Sequence, residues 1–129
     1  MIDFPEDYFK TEIRDGFEIT SMMKRAWAGR MEVLQTIREI CERHNILWFA
    51  DYGTLLGAVR HKGFIPWDDD MDIGMTRDNL TKFIKYAKDE LPEEYRLLCM
   101  DLEPKYDSLI VRVVNSTSVS MDKERLDKF

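Results

Sequence analysis

The stretch Ala50–Met75, ADYGTLLGAVRHKGFIPWDDDMDIGM, constrains this chain more than any other. It sets a Gly53-Thr54 turn and a basic run, Arg60-His61-Lys62, ahead of Asp68, Asp69, Asp70 and Asp72. Acidic clusters ordinarily lie on solvated faces, yet Trp67, Met71 and Ile73 are threaded through this one. The DMDIGM segment alternates polar and apolar, which predicts a strand with Asp70 and Asp72 on one face and Met71 and Ile73 turned into the core. Neighbouring carboxylates repel and are costly unless a cation sits between them. An all-oxygen donor set suits Mg²⁺ or Mn²⁺. An EF-hand loop counted from Asp68 fails, because Ile73 and Asn79 stand where that loop needs Gly and Glu. A solvated acidic turn is the plain alternative.

Upstream, ILWFADYG reads as a buried strand ending at Gly53, with Trp48, Phe49 and Tyr52 as core and wall residues. Thr54 is expected to cap a short helix, Leu55 to Arg60, whose first N–H groups would face a phosphate. Arg60 and Lys62 could neutralise phosphate charge, while His61 has capping or packing as its ordinary role. Pro66 is expected to keep HKGFIPW extended. Neither a P-loop nor a dinucleotide-binding glycine pattern occurs.

The rest supplies a frame. Residues 1–20 are expected to be an irregular arm, with Phe4, Tyr8, Phe9, Ile13 and Phe17 laid over the core of a domain covering 21–129. From Ser21 to His44, Trp27, Met31, Leu34, Ile37 and Cys41 recur at helical spacing, and Asn45 is a natural stop. Thr76 can cap a further helix whose stripe is Leu80, Phe83, Ile84, Ala87 and Leu91, with Pro92 after its end. YRLLCM, SLIVRVV and a short SVSMD read as strands. Helices alternating with strands give an α/β class with a mixed sheet. At 129 residues and 44% hydrophobic, the chain suits a single modest core. A net charge of -6 argues against nucleic acid as a partner. Cys41 and Cys99 are in no metal spacing and are expected to be reduced thiols. With no membrane-spanning apolar run and no signal-peptide pattern, a cytoplasmic location is expected.

YGTLLGAVRHKGFIPWDDDMDIGM resembles the signature of the LicD family, bacterial phosphorylcholine transferases related to fukutin and fukutin-related protein. These belong to the nucleotidyltransferase-fold superfamily, in which a Gly-Ser/Thr turn is followed by an Asp-x-Asp strand. Gly53-Thr54 and Asp70-Met71-Asp72 look like those elements, and roughly residues 30–115 match in style. The resemblance implies transfer of a phospho-alcohol, typically phosphocholine from CDP-choline, to a sugar hydroxyl of a surface glycan such as lipopolysaccharide or teichoic acid. Asp70 and Asp72, with Asp68 as a third acid, would hold Mg²⁺ or Mn²⁺; Arg60, Lys62 and Arg77 would meet phosphate oxygens. The family's later carboxylate motif has no clear counterpart, Asp122 being the one late candidate, so a shortened version of the family domain is expected. Two other functions fit the same fold: a non-catalytic metal and nucleotide-binding module, and an NTP-using nucleotidyltransferase that modifies a small molecule or protein.

Overall fold

The computed structural model describes residues 2–115. The chain divides into two compact units, residues 1–89 and residues from 90 onward. In chain order the elements are β1 (Glu12–Arg14), β2 (Phe17–Ile19), α1 (Ser21–Arg43), β3 (Phe49–Ala50), α2 (Tyr52–Arg60), β4 (Ile73–Gly74), α3 (Arg77–Glu90), β5 (Arg96–Leu98) and β6 (Arg112–Val114). The class is mixed α/β. In place of one mixed sheet, however, the described strands pair as three separate antiparallel ladders, β1 with β2, β3 with β4 and β5 with β6.

The expected irregular arm contains a hairpin. Asp15 and Gly16 adopt φ of 51° and 77° between the paired residues Arg14 and Phe17. That left-handed pair suits a two-residue turn whose twist matches the strands. Ile19, fully buried, is the residue that anchors the hairpin, whereas Ile13, expected to lie over the core, is 68% exposed. Phe4, Tyr8 and Phe9 cluster with centroids 4.9 to 5.7 Å apart. The cluster meets α1 through cations: Lys24 lies over the Tyr8 ring at 5.7 Å and Arg25 over Phe9 at 5.1 Å.

Thr20 caps α1, its hydroxyl accepting the Met23 N–H at 3.2 Å. The expected stripe is the packed face, with Trp27, Ile37 and Cys41 buried and Ile40 and Ala28 beside them. Burying a side chain such as Ile40 is worth about 1.5–3 kcal/mol. Asn45 ends the helix as expected: it takes φ 51°, and the Ile46 N–H reaches back to the Cys41 carbonyl at 2.9 Å. This six-to-one closure satisfies a terminal carbonyl and turns Ile46 inward.

Thr76 sits at the N-cap position of α3, since its carbonyl accepts the Leu80 N–H. Its hydroxyl accepts from the Asn79 amide at 2.8 Å, and the Asn79 oxygen accepts the Leu47 N–H at 2.9 Å. The α3 stripe is packed as expected, with Phe83 and Ala87 buried and Leu80, Ile84 and Leu91 half-buried.

In the second unit β5 and β6 pair Leu97 with Val113. The strand expected from SLIVRVV begins only at Arg112. Both backbone groups of Ile110 are already taken: Ser108 Oγ accepts its N–H at 3.2 Å, and the Tyr106 hydroxyl donates to its carbonyl at 2.6 Å. Such local bonds compete with a ladder. SVSMD and Asp122 lie outside the described residues.

Candidate metal and phosphate site

The site is built where β3 runs into α2 and where the acidic loop runs into β4. The strand ILWFADYG is shorter and less buried than expected. Ile46 is buried, Leu47 and Phe49 are exposed, and Trp48 and Ala50 are half-buried, so only one face packs. Pairing covers Phe49 with Gly74 and Ala50 with Ile73, and the Asp51 N–H adds a bond to the Asp72 carbonyl at 3.1 Å. The chain then turns at once into α2. Asp51, rather than Thr54, is the cap, its Oδ1 accepting the Tyr52 N–H at 2.8 Å. Tyr52 takes φ 44°, a left-handed conformation that costs a non-glycine residue about 1–2 kcal/mol.

Gly53 and Thr54 therefore form the first turn of α2 instead of preceding it. Thr54 has a different task from the one expected: its hydroxyl accepts the Asp72 N–H at 2.7 Å. The Gly-Thr turn and the acidic segment are thus bonded together. Gly53 also lies close to the acidic loop, for a Cβ there would stand 2.6 Å from Asp68 Oδ2. At Gly57 a Cβ would meet the Gly63 carbonyl at 2.5 Å, which ties α2 to the loop returning beneath it.

That loop is a series of turns, in contrast to the extended segment expected around Pro66. The Asp68 N–H bonds to the Ile65 carbonyl at 2.9 Å, which puts Pro66 at the second position of a β-turn that suits its fixed φ. Ile65 and Pro66 are buried, while Trp67 is 55% exposed, so Trp67 does not anchor the aspartates in the core. The expected strand through Asp70 and Asp72 is confined to Ile73–Gly74. The Asp70 N–H is turned onto Asp68 Oδ1 at 3.1 Å, and the Asp72 N–H goes to Thr54; both are lost to a regular ladder.

The result is a curled acidic loop. One carboxylate oxygen from each of Asp68, Asp69 and Asp70 lies within 4.8 Å of the others. Three carboxylates gathered in this way are a donor set that a hard divalent cation could use. Asp69, not expected as a ligand, stands in this group where Asp72 was expected; its Oδ2 is 3.7 Å from Arg30 Nη2. Asp72 holds its proton more tightly than an ordinary aspartate, first through desolvation and then through the charges of Asp70, Asp68 and Asp51. Crowding of this kind is what a cation relieves. Asp51 was missed in the sequence, although an Asp just before a helix is an N-cap signal.

The basic residues are less closely gathered. Arg60 and Lys62 lie at the far end of α2 from Gly53-Thr54, about 9 Å along a six-residue rise. Arg60 Nε donates to His61 Nδ1 at 3.3 Å, and Lys62 Nζ donates to the Val59 carbonyl at 3.1 Å. Arg77 is the first, exposed residue of α3. His61 has the structural role expected of it: its N–H caps α2 on the Gly57 carbonyl, and its ring, 6.0 Å from that of Trp67, places Nε2 3.6 Å from Asp15. In the second unit, an open cleft is lined by Arg96, Leu98, Glu103, Lys105 and Tyr106, and none of the expected site residues is in its walls.

The site thus joins the glycine–threonine start of a helix to an acidic loop within a mixed α/β chain. Residues 45–125 match the family model for the LicD/FKTN/FKRP nucleotidyltransferase domain, and the chain belongs to that family. It is 43% identical over 67 residues, 52% of this chain, to the lipopolysaccharide cholinephosphotransferase LicD of Haemophilus influenzae, of which the aligned part is 25%. Uncharacterized proteins of Rickettsia typhi and Rickettsia prowazekii are 42% and 44% identical over 52 and 48 residues, covering 40% and 37% of this chain and 17% and 18% of theirs. The chain thus spans about a quarter or less of the length of these relatives. No solved structure matches it significantly. Among the described residues no helix is long and apolar enough to cross a membrane.

Proposed function

We propose that this chain is the donor-binding part of a cytoplasmic, metal-dependent transferase with a nucleotidyltransferase-like fold. It would move phosphocholine from CDP-choline to a sugar hydroxyl of a cell-surface glycan, lipopolysaccharide or teichoic acid, with release of CMP. The observation that carries the proposal is the 2.7 Å bond from the Asp72 N–H to the Thr54 hydroxyl, which makes one unit of the two elements that must meet the same diphosphate. Family membership and the likeness to the Haemophilus cholinephosphotransferase support the chemistry.

Asp68, Asp70 and Asp72 would hold Mg²⁺ or Mn²⁺, with Asp69 alongside. A bound ion would neutralise the diphosphate and the departing CMP. The N–H groups of Gly53 and Thr54 would face donor phosphate oxygens at the start of α2. Asp51 brings negative charge to the same place, so a cation held by these carboxylates would offset their repulsion of the phosphates. Arg60, Lys62 and Arg77 would swing in to meet the remaining phosphate charge.

A thermal-shift panel tests the proposal, with CDP-choline, CDP-ribitol, CDP-glycerol, CTP and ATP, each with and without Mg²⁺. Ligand at a hundred times its Kd stabilises by about 2.7 kcal/mol. A Mg²⁺-dependent rise with CDP-choline that is lost in Asp70→Ala is the expected result. A response to ATP or CTP alone would move the protein to the NTP-using class, and no response to any ligand would leave it without a donor site.

A further inference from the structure

The acidic loop is held from α1, a helix outside the residues 45–125 that the family model matches. Trp27 is 2% exposed and donates its indole Nε1–H to the Asp68 carbonyl at 2.7 Å. Its ring lies against Phe64 with centroids 4.8 Å apart and planes within 3°. The indole is thus buried on α1 and its N–H reaches the loop from there. Asp68 is the hub that it holds: the Asp68 N–H bonds Ile65, and its carboxylate accepts the Asp70 N–H. One turn further along α1, Arg30 approaches Asp69. The backbone of the loop is thus anchored at the residue from which its carboxylates fan out.

A buried tryptophan needs a partner for its N–H in any protein, so the bond by itself has a purely structural explanation. Its location argues for more. Outer partners that orient metal-binding groups govern affinity, and their loss typically weakens it 10- to 100-fold. We infer that Trp27 is a positioning residue for the cation site: its indole N–H fixes the Asp68 backbone so that the loop carboxylates meet a divalent ion already arranged. This rests on the cation site of the proposed function.

The test compares wild type, Trp27→Phe and Phe64→Leu by Mn²⁺ calorimetry, by thermal midpoint and by amide hydrogen exchange of residues 67–72 without metal. Trp27→Phe keeps a ring against Phe64 but has no donor. Its Mn²⁺ Kd should rise at least about tenfold, and exchange in the loop should quicken. Phe64→Leu should lower the midpoint while leaving the Kd in place. Should Trp27→Phe fail to fold, benzothienylalanine at position 27, isosteric but without the N–H, takes its place. An unchanged Kd and unchanged loop exchange in the donor-less variant overturn the inference alone. Equal weakening by Phe64→Leu does the same, since general loosening would then explain both. A wild-type protein that binds no Mn²⁺ overturns the cation site itself and this role with it.

Discussion

Thr54 shows how a residue can be singled out correctly in the sequence and still be given the wrong task. Its position beside glycine marks a helix start, but a hydroxyl's partner is set by the fold, and here that partner is Asp72, 18 positions away. Thr54→Val is nearly isosteric and removes only the acceptor. It should cost about 1 kcal/mol in urea unfolding, because the Asp72 N–H loses its bond, and it should weaken the Mg²⁺-dependent donor response. Thr54→Ser should retain both. Asp70 and Asp72 stood out for the same reason, as carboxylates at close spacing. Asp51 and Asp69 did not, because whether an acidic side chain curls toward its neighbours depends on turn bonds such as Asp70 N–H to Asp68. Cys41 behaves as a buried structural thiol, its pKa pushed up to about 11 by burial and by Glu42. It should resist alkylation at neutral pH until the protein unfolds.

At the scale of elements, long periodic segments were legible in full, while short strands were legible in place but not in extent. ILWFADYG, DMDIGM, YRLLCM and SLIVRVV each contain a strand shorter than expected. The stripes of α1 and α3 repeat over several turns, and their buried residues follow that period. The strands have two or three residues each, too few for alternation to register, and competing local bonds decide where they stop. Even so, the Asp15-Gly16 pair is a hairpin signal. The stop at Asn45 depends on its positive φ, so Asn45→Ala should cost about 1–2 kcal/mol while Asn45→Gly stays near neutral. The link from β1 to α1 is electrostatic: Lys24, 5% exposed, lies 3.1 Å from Glu12, which also pairs with Arg14. The hydrogen bond from Lys24 is the main cause holding the Glu12 carboxyl below its ordinary 4.5. A depressed carboxyl contributes stability that is present above the unfolded value and lost as pH falls through the folded one. The urea midpoint should therefore fall more steeply below about pH 4.5 in wild type than in Glu12→Gln. At neutral pH the variant should be less stable, since it leaves Lys24 buried with a weaker partner.

At the scale of the whole molecule, one 26-residue stretch, 50–75, carried the family and most of the candidate site, because a cation site needs several unusual residues at fixed spacing. What lay outside its reach is the bracing from α1, since nothing in the spacing of Trp27 distinguishes a tryptophan that holds a loop from one that fills a core. The central claim is that the acidic loop and the Gly-Thr helix start form one cation-binding unit. Mn²⁺ titration followed by amide NMR tests it most directly, because the ion broadens signals from the residues around it. Signals of Asp68 to Asp72 and of Asp51 to Thr54 should vanish first, at substoichiometric metal, and persist in Asp70→Ala. Broadening that begins at other carboxylates, such as Asp89 or Glu93, or that spreads evenly over the acidic surface, would contradict the account.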